Sequence, residues 1–129
     1  MEKPTDGYVS KRYDQPTKRY VQTLDLRDNA ELIKEYRRLH SEPAVWREIL
    51  EGIHAVGILE MEIYILGTRL FMIIDAPVDF DWESAMARLG TLPRQEEWEE
   101  VVGKCQLTDP KAGSSDKWKL MERMFRLYY

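Results

Sequence analysis

Apolar and polar positions alternate most regularly in the middle of the chain, where Met61, Ile63 and Ile65 interleave with Glu60, Glu62 and Tyr64. A period of two marks a strand, because successive side chains point to opposite faces. The pattern predicts one strand over Ile58–Leu66 and another over Leu70–Ile74. Gly67-Thr68 between them suits a type II′ hairpin, which takes glycine at its first turn position. Two carboxylates on one strand face fit a wet interface, a polar cavity or an exposed sheet face, and alternation alone leaves these open.

Elsewhere the period lengthens to that of a helix. Leu32, Tyr36 and Leu39 form one stripe, and Asp28 with Glu31 three residues later reads as a capping-box-like start, so a helix is predicted to about His40. Ser41 and Pro43 break it. Val45, Ile49 and Ile53, flanked by Trp46 and Leu50, restart the period until Gly57. Asp81 caps a short predicted helix bearing Trp82, Ala85, Met86 and Leu89, and beyond Pro93 a further helix carries the inner row Trp98, Val101, Val102 and Cys105.

A first strand is predicted over Tyr20–Leu26 from its β-branched and aromatic content. Residues 107–116 read as loop. Trp118–Tyr129 suits a helix by one spacing and a half-polar strand by another. The order is therefore β, α, β, β, α and a last element of open type. If that element is a strand, the pattern is the split βαβ plait named ferredoxin-like. Such a sheet covers one face with helices and leaves the other bare, which implies a partner, most simply a second copy.

A length of 129 residues suggests one domain. Residues 1–17, with two prolines and a glycine, read as a flexible N-terminal arm, and 18–129 as the folded domain. A net charge of −4 with dispersed basic residues argues against nucleic acid as a partner. The single cysteine excludes an internal disulfide, and neither a signal segment nor a membrane-length apolar run is present, so a cytoplasmic protein is expected.

Phosphate-cradling, nucleophile-elbow and metal-spacing motifs are absent. His40 and His54 lie fourteen residues apart without ligand spacing, so no metal site is expected. Cys105 sits on an apolar helical row and reads as core, and His54 as a charge near a helix C-terminus. Tyr36 and His40 stand out. Four residues apart, they share the inward face of a helix, which aims an imidazole at the interior beside a phenol. The alternative is a core-edge histidine satisfied by a backbone carbonyl. Together with inward tryptophans and strand carboxylates, the pair suits proton transfer on a polyhydroxylated ligand, whose apolar ring face stacks on aromatics.

The segment Glu35-Tyr36-Arg37-Arg38-Leu39-His40 resembles a helix of the L-rhamnose mutarotase family. So do Met61-Glu62-Ile63-Tyr64, Arg69-Leu70-Phe71-Met72-Ile73 and the spacing to Trp98, a likeness covering about residues 18–128. It implies a ferredoxin-like protomer forming a dimeric α+β barrel, with the last segment a strand. It also implies cofactor-free interconversion of the anomers of a 6-deoxy-L-sugar. His40 falls on the family's proton donor and Tyr36 on its sugar-contacting tyrosine. Met61 stands where the family has tyrosine, and Glu97-Trp98 where it has a tryptophan pair, so the chain looks closest to a branch associated with L-fucose. Glu62 is the candidate second acid/base group, and Trp98 with Trp46 would pack on the C6 methyl or ring face. Two other readings compete: a different dimeric α+β barrel protein, such as a cofactor-free monooxygenase or haem-handling enzyme, and a non-catalytic ligand-binding module.

Overall fold

The computed structural model describes residues 3–108 and 114–128. Strands β1 (Thr17–Asp25), β2 (Glu60–Leu66), β3 (Arg69–Pro77) and β4 (Lys119–Leu120) form one antiparallel sheet in the order β2-β3-β1-β4. Helices α1 (Ala30–Leu39), α2 (Arg47–Ala55), α3 (Trp82–Leu89), α4 (Gln95–Gly103) and α5 (Ser114–Lys117) accompany it. None of the described helices is long and apolar enough to cross a membrane.

Register decides what each face carries. Tyr20 pairs with Ile74, Gln22 with Met72 and Leu24 with Leu70, while Met61 and Ile63 stand opposite Ile74 and Met72. These side chains join the core with Tyr36, Leu39, Ile49, Leu89, Trp98 and Val102, so this is the helix-covered face. Burying Leu26, Ile58, Leu70 and Ile74 almost completely contributes roughly 1.5–3 kcal/mol each. The other face carries the pairs Arg19 with Asp75, Val21 with Ile73, Glu62 with Ile73 and Tyr64 with Phe71.

The N-terminal residues run beside that second face. Tyr13 donates to Asp75 Oδ2 at 2.9 Å, Lys11 reaches the Leu59 carbonyl at 3.4 Å, and the Tyr8 and Tyr64 rings meet edge-on at 5.7 Å. Burial alone would raise the Asp75 pKa, but hydrogen bonds from Arg19 and Tyr13 outweigh it and hold the carboxylate below its usual range.

Several boundaries differ from the sequence expectation. The first strand begins at Thr17, because its pairing with β3 continues out to Pro77. Helix α1 is capped by Asn29, not Asp28: Asn29 Oδ1 accepts from the amides of Glu31 and Leu32 at 3.0 and 3.1 Å. The chain is still tied down at Leu26 and Arg27, whose amides donate to Thr68 and Cys105, so Asn29 is where it turns. Within the expected loop at 107–116, Ser114 opens a short helix, and residues 109–113 lie outside the described residues. The last segment is a strand only at Lys119–Leu120, which pairs with Thr23 and Gln22, and residues 121–128 are exposed and form no further strand. The hairpin has Gly67 at φ +60°, as a type II′ turn requires.

Candidate active site

Helix α1 delivers the first two groups. Tyr36 is buried in its last turn, and His40 follows as the C-terminal cap residue. His40 Nδ1 lies 2.7 Å from the Tyr36 carbonyl. A carbonyl only accepts, so Nδ1 carries the proton and the neutral ring keeps a lone pair on Nε2. The imidazole is 4.3 Å from the Tyr36 ring and 5.3 Å, edge to face, from Trp98 on α4. His40 is exposed at the end of the helix, not interior as its spacing suggested, and its ring borders a cavity. The protein packed on the other sides removes water from the ring and lowers its pKa, against an opposing effect of the Tyr36 hydrogen bond. Burial likewise pushes the Tyr36 phenol up to about 12, so it stays a donor.

The cavity holds about 390 Å³ between the sheet and the helices. Ile49, Met61, Ile63 and Trp98 give it apolar walls, while Gln22, Gln95, Gln106 and the Tyr36–His40 pair give it polar ones. Gln95 and Gln106 are 5% and 1% exposed, yet the Oε1 atom of each finds no hydrogen-bond partner among the described residues. Buried amide oxygens without partners are costly and uncommon. Two carboxylates, Glu60 and Glu99, also line the cavity, as does buried Lys117, which donates to the Glu99 main-chain carbonyl at 2.6 Å. Among the described residues, no three histidine, cysteine or acidic side chains converge as metal ligands.

Of the residues singled out in the sequence, Tyr36, His40, Met61 and Trp98 meet around this cavity. Trp46 stands outside it, packed edge-on against Trp98 at 5.2 Å with the Arg94 guanidinium 4.0 Å above its ring, and so supports Trp98 from behind. Glu62 is not brought to His40. It lies on the opposite face of the sheet, accepting from the Tyr64 hydroxyl at 3.1 Å, because strand alternation sends it away from Met61. Cys105 is buried in the core. His54 lies in the last turn of α2 and borders the cavity. Gln22, Gln95 and Gln106 escaped sequence reasoning. Alternation puts Gln22 on the same face as Tyr20 and Leu24, and helical spacing puts Gln95 on the inner row of Trp98 and Val102, both usable signals; Gln106 follows no period.

The chain is similar to known proteins in sequence and in fold. The sequence profile of the L-rhamnose mutarotase family matches residues 19–127. An L-fucose mutarotase from Xanthomonas campestris is 35% identical over 109 residues, covering 84% of this chain and 87% of that protein. A UPF0734 protein from Dictyostelium discoideum is 36% identical, covering 85% and 90%. In three dimensions the chain is similar to an L-rhamnose mutarotase from Formosa agariphila, with a TM-score of 0.63 at 15% identity, covering 86% of this chain and 99% of that one. Profile and sequence identity together place this chain in the L-rhamnose mutarotase family, whose members are sugar isomerases.

Proposed function

We propose that this protein interconverts the α and β anomers of a 6-deoxy-L-hexose, L-fucose in preference to L-rhamnose, by cofactor-free acid/base ring opening. Membership of the family supports sugar mutarotation. The observation that carries the mechanism is His40, with Nδ1 committed to the Tyr36 carbonyl and the ring bordering a cavity with aromatic and amide walls.

In the cycle His40 starts as a base rather than as the proton donor that the resemblance implies, because its lowered pKa keeps the ring neutral: Nε2 takes the proton of the anomeric hydroxyl as the bond from C1 to the ring oxygen breaks. Water protonates that oxygen. The open-chain aldehyde turns about its C1–C2 bond. Ring closure on the other face returns the His40 proton to the former carbonyl oxygen, and the ring oxygen gives its proton back to water. A positioned base of this kind supplies roughly 10²–10⁴ in rate. Tyr36 donates a hydrogen bond to the sugar, Trp98 packs on its apolar ring face and Met61 makes an apolar contact where a tyrosine would donate. Water replaces Glu62 as the second proton carrier, since Glu62 stands on the far side of the sheet.

The strand order β2-β3-β1-β4 supports the ferredoxin-like plait. The half-buried row Val21, Phe71 and Ile73 on the second sheet face, with the exposed apolar segment after β4, supports a homodimer closing as an α+β barrel. The buried, unpartnered amide oxygens favour a polar ligand over the monooxygenase and haem alternatives. Saturation-transfer NMR of anomer exchange tests the function: accelerated exchange of L-fucose supports it, and exchange at the buffer rate with both sugars refutes it.

A further inference from the structure

Two side chains that the cycle above does not use, Gln95 and Gln106, each have an amide oxygen without a partner among the described residues, and of these Gln106 is the one that also touches Tyr36. Its main chain is fixed. The amide donates to Gly103, the carbonyl accepts from Thr108, and the residue bridges Leu26 beside β1. Its Nε2 donates to the Tyr36 hydroxyl at 3.5 Å, and its Oε1, fully buried in the cavity wall, has no partner among the described residues. A fold without a ligand gains nothing from a buried acceptor left unpaired.

The consequence for Tyr36 is geometric. With a lone pair occupied by the Gln106 N–H, the phenol is left to donate its own hydrogen toward the cavity. Donor and acceptor are then neighbours, Tyr36 O–H and Gln106 Oε1, both closed off from the cavity, so a ligand hydroxyl reaches them as the Gln106 amide turns toward it. A sugar hydroxyl is the group that satisfies both, since it accepts one hydrogen bond and donates another.

We infer that Gln106, acting together with Tyr36, is a substrate-positioning and specificity residue that grips one ring hydroxyl of the sugar other than the anomeric one. This rests on the mutarotase reading of the same cavity. Gln106 takes no part in proton transfer. It holds the sugar equally in the ground state and the transition state, so its loss is read in KM.

The test uses the full chain with L-fucose and its 2-, 3- and 4-deoxy analogues, followed by NMR anomer exchange. The wild type should lose roughly five- to tenfold in kcat/KM with one of the analogues, the worth of one net hydrogen bond. Gln106→Met, nearly isosteric and apolar, should raise the KM for L-fucose by a similar factor and leave kcat within about twofold. It should also cease to discriminate that one analogue while still discriminating the others. Its Tm should stay at or above the wild-type value, because an unpaired buried acceptor has been removed; a merely structural glutamine would lose Tm. Tyr36→Phe, which keeps the ring and deletes the donor, should lose discrimination of the same analogue and provides the readout if Gln106→Met fails to fold. A folded Gln106→Met protein with wild-type KM and wild-type analogue ranking overturns the inference while leaving the mutarotase reading intact. Absence of exchange with every sugar in the wild type overturns that reading first.

Discussion

His40 hydrogen-bonds through Nδ1 to the main-chain carbonyl of Tyr36, at 2.7 Å, the residue one helical turn before it. This contact satisfies the histidine with a backbone carbonyl, and in the proposed function it also prepares the ring for catalysis. It ends α1, sets the tautomer and leaves Nε2 as a base, with the carbonyl serving as orienting partner.

The pH dependence follows from the lowered pKa of His40. The neutral base is the active form, so kcat/KM should be level from pH 7 to 8. It should fall as pH drops through a value below the ordinary histidine pKa of about 6.5. Stability moves the same way. The unfolded chain binds this proton at about 6.5 while the folded chain resists it, so acidification below that value removes stability. A pH–rate profile with its acid limb centred at 7 or above would contradict the assignment.

Met61 should set the ranking of substrates. It lines the cavity on the strand face opposite Glu62, and it offers flexible apolar surface in place of a hydroxyl. We expect L-fucose to exchange faster than L-rhamnose, and Met61→Tyr to narrow the gap by about 1 kcal/mol, one net hydrogen bond. Equal wild-type rates for the two sugars in competition, or a preference for L-rhamnose, would show that Met61 is not the selector.

Association should bury the segment beyond β4. Met124, Phe125 and Leu127 are 94%, 71% and 88% exposed in the single chain, an unusual run of open apolar side chains. Light scattering should report about twice the 15.3 kDa chain mass, and Phe125→Asp with Leu127→Asp should shift it toward the single-chain mass. A wild-type monomer at micromolar concentration would refute the dimer.

How far the sequence could be read depended on which features are periodic. The stripe Leu32, Tyr36 and Leu39 oriented α1, and the alternation of β2 put Met61 and Glu62 on opposite faces. What alternation withholds is which face lines the cavity, and that excluded Glu62. Capping passed from Asp28 to Asn29 because long-range main-chain bonds at Leu26 and Arg27 decide where the chain can turn. The last segment alternates like a strand, but a ladder needs a neighbour, and beyond Leu120 the described residues supply no continuous one. Gln95 shares the helical row of Trp98 and Val102, while Gln106 carries no pattern at all. Their significance is the missing partner of each Oε1, which only a folded structure displays.

The central claim is that His40 is the base of a sugar mutarotase, and the most direct measurement is saturation-transfer NMR on wild type and His40→Gln, with L-fucose, L-rhamnose and a D-sugar control. The account predicts accelerated exchange of L-fucose by the wild type, little with the D-sugar, and a loss of on the order of a hundredfold or more in a folded His40→Gln protein. Exchange at the wild-type rate in that variant would contradict it.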